Sequence, residues 1–174
     1  MFRLQTIAPE QATGALAEAY KVFPPQVGVP APLQMLSASP DLVIMQANFI
    51  KHFMTHPKLG FKLQALIRYL SAADQGYSFC VGLNGNMLKS TGLSDVDLEA
   101  LHEDPSRAPL EAPEKAMLLL TRKALRTPEA LSNADFDQVR AHGYSDADIM
   151  DALWIGAGMK AMSALFQALV KPQG

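Results

Sequence analysis

The chain has 174 residues, a net charge of −2 at neutral pH and an isoelectric point near 6.1. So small a charge gives no electrostatic footprint for nucleic acid or for an anionic membrane surface, and we expect neither as a partner. Apolar residues make up 49% of the chain. Because a chain of this length buries about 70% of the surface that its unfolded form exposes, we expect one domain over residues 1–174 that needs no disulfide or structural metal.

The N-terminus and the cysteine content bear on the cellular compartment. The first residues hold no long apolar segment of the kind found in signal peptides, and we find no run of about 18 uncharged apolar residues that could span a membrane. Cys80 is the only cysteine, so no internal disulfide can form. These features predict a cytoplasmic protein.

Segments with helical periodicity and capping residues follow one another along the chain, and no strand alternation is evident. Leu, Ala and Met dominate the apolar residues, which also favours helices. The first helix is expected to begin at Pro9, and a longer one to begin with Ser39 as N-cap and to end before Pro57. The remaining segments are expected at about 32–38, 59–73, 78–90, 94–102, 113–126, 132–143 and 145–170. The sequence therefore predicts an all-α fold.

One pattern occurs twice. "GLSDVDLEAL" at 92–101 and "GYSDADIMDAL" at 143–153 share a glycine, then a serine N-cap with an aspartate three residues later, then apolar residues. This spacing is typical of a weak capping box. It is explained equally well by capping chemistry used twice and by an internal structural duplication. Further along, Gly156 and Gly158 lie in the middle of the last helix, where glycine is costly, and we expect close approach of a neighbouring helix there.

The segment around the lone cysteine, "DQGYSFCVGLN" at 74–84, has the spacing of a redox motif of the form C-x-x-C-x-x-x-H. Cys80 occupies the second cysteine position. Tyr77 stands at the first cysteine position and Asn84 at the histidine position. The segment thus has the spacing of an active site with one of its three motif residues.

The chain resembles the AhpD-like superfamily, which includes alkylhydroperoxidase D, peroxidase-related proteins and the carboxymuconolactone decarboxylases. The resemblance runs from about 8 to 165 and includes "PEQATGALAEAY", "PAPLQMLSASPDL", "KLQALIRYLSAADQGYSFCVGLNGNMLKSTGLSDVDL" and "LTRKALRTPEALSNADFDQVRAHGYSDADIMDALWIGA". It implies an all-α helical bundle that assembles into trimers or hexamers; a dimer is the alternative if the halves pair differently.

The resemblance also implies which positions would form the site. The redox branch of the superfamily carries a glutamate twelve residues before the C-x-x-C pair, and that position is Ala65 here. The decarboxylase branch shares the glutamate and histidine positions, and both are replaced in this chain. We therefore expect Ala65, Tyr77, Cys80 and Asn84 to line the pocket of a degenerate site.

These replacements remove the parts of a thiol relay. In such a relay one thiolate attacks, a second thiol resolves the intermediate, and a histidine moves the protons. Asn84 can form hydrogen bonds but takes no proton near neutral pH. Loss of a positioned general base costs about 10²–10⁴ in rate. Cys80 itself is either a small core residue or a single reactive thiol near a helix N-terminus.

Other polar residues offer weaker candidates. His52 and His56 have the i, i+4 spacing of metal ligands, but no third ligand is apparent, so we expect no metal site. Arg68 and Asp74 flank the Cys80 segment and could bind a polar ligand or form surface ion pairs. No glycine-rich phosphate loop follows a strand, so we expect no cofactor.

Two functions of different class follow. The first is a divergent, oligomeric protein that keeps the fold without the relay and serves as a binding protein, with a small molecule as its candidate ligand, as a scaffold, or in a new chemistry that the sequence does not identify. The alternative is an antioxidant hydroperoxidase, a thiol-dependent oxidoreductase that works through Cys80 alone. The joint loss at positions 65, 77 and 84 favours the first.

Overall fold

The structure, a computed structural model, describes residues 2–171. It is 71% helical, and within the described residues the only extended pairing is an isolated antiparallel bridge between Phe2 and Val170. The all-α prediction is therefore confirmed. The α-helices are α1 Gly14–Tyr20, α2 Ala31–Leu36, α3 Pro40–Met54, α4 Phe61–Asp74, α5 Ser78–Lys89, α6 Asp95–Glu103, α7 Ala112–Arg126, α8 Asn133–Ala141 and α9 Asp146–Leu169.

The first helix begins later than the sequence predicts. Pro9 opens a short 3-10 turn, Pro9–Gln11, and α1 begins only at Gly14. The backbone is extended at Ala12 and Thr13, and Gly14 has a positive φ of 56°, so a continuous helix from Pro9 is broken there. Two further 3-10 turns, Pro105–Arg107 and Pro128–Ala130, lie between the predicted helical segments.

The described residues form two compact units, one made of 2–56 with 164–171 and the other of 57–163. In the first unit α1 packs against α3 around Leu16, Tyr20 and Val43. The Tyr20 hydroxyl donates to the Ile7 carbonyl oxygen at 2.9 Å, which fixes the preceding segment. Segments near the two ends of the described range meet in this unit, since the Arg3 N–H donates to the Leu169 carbonyl oxygen at 2.8 Å.

The second unit contains the Cys80 segment. Its central helix is α4, which packs against α5 and α7. The fully buried side chains of this unit include Leu63, Leu66, Ile67, Leu70, Leu88, Met117 and Leu118. The four from α4 recur at spacings of three and four residues, so one stripe of the helix supplies much of this core. The division into two compact units does not test whether residues 1–174 form a single domain, so that expectation stays a prediction.

The repeated serine–aspartate pattern caps helices as predicted. The Ser94 N–H donates to the Asp97 carboxylate at 2.8 Å at the start of α6, and the Ser145 N–H donates to Asp148 at 2.7 Å at the start of α9. Ser132 and Asp135 form the same arrangement at α8, which the sequence analysis did not single out. Since a third helix uses the same cap, capping chemistry alone accounts for the repeat. An internal duplication stays a prediction.

The last helix, α9, combines a tight contact with an open face. A Cβ atom at Gly156 would lie 2.3 Å from Leu125 Cδ1 and 3.0 Å from Ser71 Oγ, so the expected close approach occurs here. Nothing lies within 4 Å of a Cβ at Gly158. Within the described residues, α9 is the single helix whose length and composition would suit a membrane span, a test that core helices also pass. The expected absence of a membrane span stays a prediction.

Candidate functional site

The Cys80 segment is positioned by the turn between α4 and α5. Helix α4 ends at Asp74, and Gly76 takes a left-handed conformation with φ of 62°, which a side chain would strain. The chain then reverses, and Tyr77 is the N-cap residue of α5. Cys80 therefore lies in the first turn of α5, with Asn84 one turn further along the same face.

The thiol of Cys80 is enclosed. Cys80 is only 5% exposed, and Tyr77, three residues before it, is also buried. Burial raises the pKa of the Cys80 thiol to about 11, although the neighbouring Tyr77 side chain and the positive charge of Arg68 act in the opposite direction. Burial, followed by the neighbouring thiolate, raises the pKa of Tyr77 above its usual value. Both groups are therefore neutral at physiological pH.

Three polar side chains form a network beside the thiol. The Asn84 side-chain amide donates to the Cys80 carbonyl oxygen at 2.8 Å, and its Oδ1 accepts from Arg68 Nε at 2.9 Å. The Gln64 amide donates to the Leu59 carbonyl oxygen at 2.5 Å, and its Oε1 faces Arg68 Nη1 at 3.4 Å. Because each amide nitrogen is held by a backbone carbonyl, each amide oxygen has to point toward the guanidinium.

Arg68 carries a charge that no carboxylate balances. Within residues 2–171 its hydrogen-bond partners are the two neutral amides of Gln64 and Asn84, whereas Arg122, Arg126 and Arg140 each pair with an aspartate. Burial lowers the pKa of Arg68 to about 10, partly offset by the nearby Cys80. The group is still a cation at neutral pH. Its Nη2 nitrogen donates to no other described residue.

The four positions predicted to line a pocket lie together on α4 and α5. Tyr77, Cys80 and Asn84 form one cluster, and Ala65 precedes Arg68 by one turn on α4. All four are buried, and Ala65 is fully so. A lining role around an open pocket stays a prediction for them. No acidic side chain of the described residues perturbs the Cys80 thiol or the Arg68 guanidinium, in keeping with alanine at the glutamate position.

Asp74 belongs to a different cluster from Arg68. Its carboxylate lies 3.1 Å from His102 Nε2, 3.1 Å from Arg122 Nη2 and 3.6 Å from Arg126 Nη1. Arg122 Nη2 also donates to the His102 carbonyl oxygen at 2.6 Å. The cluster joins α4, α6 and α7. It has the form of a structural ion-pair network, which was one of the two interpretations of Asp74 from sequence.

The histidine pair of α3 shows aromatic packing. The ring centroids of His52 and His56 are 5.9 Å apart, and each ring also packs near Phe53. Residues 2–171 contain no group of three or more His, Cys, Asp or Glu side chains that could hold a metal ion. The expected absence of a metal site stays a prediction.

Sequence reasoning missed one member of the network. Gln64 lies four residues before Arg68 on the same helix, a spacing at which side chains face each other. The Gln64 side chain is buried, with 7% of the residue exposed, nearly as little as the 5% of Cys80. A polar residue inside the apolar stripe of 59–73 was the available signal, because buried amides require partners.

Comparison by sequence returns nothing: no family model matches this chain, and no curated protein matches it. Comparison of structures finds solved proteins of similar fold. A peroxidase-related protein from Ralstonia eutropha JMP134, described as an alkylhydroperoxidase AhpD core, has a TM-score of 0.78 at 18% identity, with 99% of this chain and 92% of that chain covered.

Two other solved structures agree with it. A peroxidase-related protein from Silicibacter sp. TM1040 has a TM-score of 0.72 at 18% identity, covering 100% of this chain and 96% of that one. The debrominase Bmp8, solved as a cysteine-to-alanine variant in complex with 2,3,4-tribromopyrrole, has a TM-score of 0.72 at 17% identity, covering 97% and 91%. Matches that span nearly the whole of each chain show the fold, and this chain therefore has the AhpD-like fold.

Proposed function

We propose that the protein is a divergent AhpD-like binding protein that takes a small molecule beside Arg68 and Asn84 and runs no dithiol cycle. The observation that carries the proposal is the environment of Cys80. The thiol is buried, its pKa is raised to about 11, and the side chain one turn further along the helix is an amide already engaged in two hydrogen bonds.

The chemistry of a thiol relay fails at three points. One cysteine cannot form an intramolecular disulfide. With a pKa of about 11, roughly one thiol in ten thousand is ionised at pH 7, and the thiolate is the nucleophile. Asn84 Oδ1 accepts from a guanidinium and its amide donates to a backbone carbonyl, so it offers no site for a proton in transit.

The same residues suit binding. The Arg68 guanidinium is held on two sides by amides whose own orientation is fixed, so little conformational entropy is lost when it meets a ligand. The structure of Bmp8 with 2,3,4-tribromopyrrole is a case in which a protein of this fold binds a small organic molecule. For this chain we propose the binding of a small organic molecule and not the debromination.

Assembly into a homo-oligomer is part of the proposal. Met150 is 61% exposed and Trp154 60% exposed, and the two lie one turn apart on α9. Large apolar side chains grouped on one face are typical of a subunit interface. The resemblance implies a trimer or hexamer, and we place the assembly in the cytoplasm.

The test combines turnover and thiol titration. We expect no rapid consumption of hydrogen peroxide or an organic hydroperoxide with dithiol donors, and the same background for a Cys80→Ser variant. Alkylation of Cys80 should accelerate with pH up to about 11, because the raised pKa keeps the thiol neutral below that value. Rapid turnover that Cys80→Ser abolishes, with alkylation already saturated below pH 7, would overturn the proposal.

That opposite result would establish the second candidate, a single-cysteine hydroperoxidase. The neighbouring Tyr77 side chain and the positive charge of Arg68 both favour the Cys80 thiolate, although burial outweighs them. A sulfenic acid formed at Cys80 would then have to be reduced by an external thiol, since the chain has no second cysteine.

A further inference from the structure

The Arg68 guanidinium donates hydrogen bonds through Nε and Nη1, and its Nη2 edge makes none within residues 2–171. Its Nε donates to Asn84 Oδ1 at 2.9 Å and its Nη1 faces Gln64 Oε1 at 3.4 Å, which leaves Nη2 without a partner among the described residues. The two acceptors are neutral. Neither can turn a donor toward the guanidinium without breaking its own bond to the carbonyl oxygen of Leu59 or Cys80.

Arg68 differs from Arg122 and Arg126 in having no carboxylate beside it within residues 2–171. Apart from the Cys80 thiol, no ionisable group of residues 2–171 exerts a resolved electrostatic effect on Arg68. The Asp74 cluster shows the contrast, because there a carboxylate meets Arg122 and Arg126 directly. A partly buried cation without a counter-ion is costly, and an anion bound beside it removes that cost.

We propose that the small molecule bound at this site carries a carboxylate or a similar planar anion, recognised by the free edge of Arg68. The inference rests on the proposed binding function and adds the chemical class of the ligand. A carboxylate suits this position, since guanidinium and carboxylate groups form parallel hydrogen bonds in one plane. Asn84 and Gln64 act as positioning residues that hold Arg68 in place.

Calorimetric titration with benzoate and with benzamide tests the charge requirement. The two molecules have nearly the same shape, and only benzoate is an anion. We expect benzoate to bind about ten-fold or more tightly than benzamide, because hydrogen bonds to charged groups contribute more than neutral ones. The preference should persist in Arg68→Lys at reduced strength, vanish in Arg68→Gln, and be unchanged in Arg126→Gln, which removes a charge from the Asp74 cluster instead.

Asn84→Asp keeps the test decisive if Arg68→Gln does not fold. This variant preserves the acceptor for Arg68 Nε and supplies an internal carboxylate, so we expect the benzoate preference to be lost although the network is filled. A second readout uses the lone thiol at pH 9. The ratio of Cys80 alkylation rates by iodoacetate and iodoacetamide should be higher in the folded protein than in the urea-unfolded chain, and Asn84→Asp should abolish that excess.

The outcomes separate the two proposals. Equal binding of benzoate and benzamide, or a benzoate preference that survives both Arg68→Gln and Asn84→Asp, overturns the anion class and leaves the binding function standing. Failure of both probes to bind, with an alkylation ratio equal to that of the unfolded chain, also overturns it. Rapid hydroperoxide turnover through Cys80 would instead overturn the proposed function, whichever probe binds.

Discussion

Replacing Gly156 with alanine tests the packing of α9 within the second unit. The new methyl group would lie 2.3 Å from Leu125 Cδ1, whereas carbon atoms in contact are about 3.5 Å apart or more. Leu125 therefore has to move by roughly 1.2 Å. Ser71 Oγ at 3.0 Å also has to give, and Ser71 is buried. We expect Gly156→Ala to lower the stability of the folded state.

The magnitude follows from two opposing effects. Overpacking a core typically costs about 1–3 kcal/mol. Alanine in a helix interior regains about 1 kcal/mol relative to glycine. Since Leu125 is only half-buried and can partly swing outward, the net loss for Gly156→Ala should be about 0–2 kcal/mol.

Gly158→Ala is the matched control on the same helix. Nothing lies within 4 Å of the added methyl group, so the gain in helix propensity should appear alone, at about 1 kcal/mol. Urea unfolding of both variants should therefore show a gap of about 1–3 kcal/mol in the free energy of unfolding. Equal stability of the two variants, or the reverse order, would refute the packing argument.

Three further predictions concern a charge, the assembly and the network. The hydrogen bond from Lys123, with those from Ser132, lowers the pKa of Asp135 to about 2, so its contribution is complete above the unfolded-state value near 4 and is lost as pH falls toward 2; the gap in urea stability between wild type and Asp135→Asn should be full at pH 5 and close by pH 2, and a gap independent of pH would contradict this. Light scattering should give a mass that is a multiple of 18.9 kDa, and a monomer at micromolar concentration would rule out the assembly. Asn84→Leu leaves Arg68 Nε without its acceptor and should cost about 1–3 kcal/mol in urea unfolding, whereas a neutral effect would mean that water replaces the amide.

Most of the helices could be predicted from the sequence because prolines and capping residues mark where they begin and end. Pro40 and Pro57 bracket α3, and the serine–aspartate boxes begin α6 and α9 where the pattern places them. The error at Pro9 has a local cause as well. A proline at a first helical position also suits a 3-10 turn, and the extended Ala12 and Thr13 depend on contacts that periodicity does not report.

The arrangement of the site could be predicted from the sequence only in part. Spacing along α4 and α5 correctly grouped Tyr77, Cys80 and Asn84, because residues one turn apart share a helix face. The pairing of Arg68 with Asn84, and not with Asp74, depends on how two helices pack, and no spacing within one helix fixes that. The raised pKa of Cys80 likewise follows from its burial in the folded protein, which the spacing of motif residues does not report.

The contact between the segments at Arg3 and Leu169 has a consequence for how the protein is made. The first unit needs both residues 2–56 and residues 164–171, and the Arg3–Leu169 hydrogen bond joins them. During synthesis, residues 57–163 are complete before the last turns of α9 leave the ribosome, so the inserted unit can fold first and the unit that begins the chain has to wait. Because Arg3 and Leu169 are adjacent, a circular permutant that joins these two segments by a short linker and opens new ends at an exposed loop is also feasible.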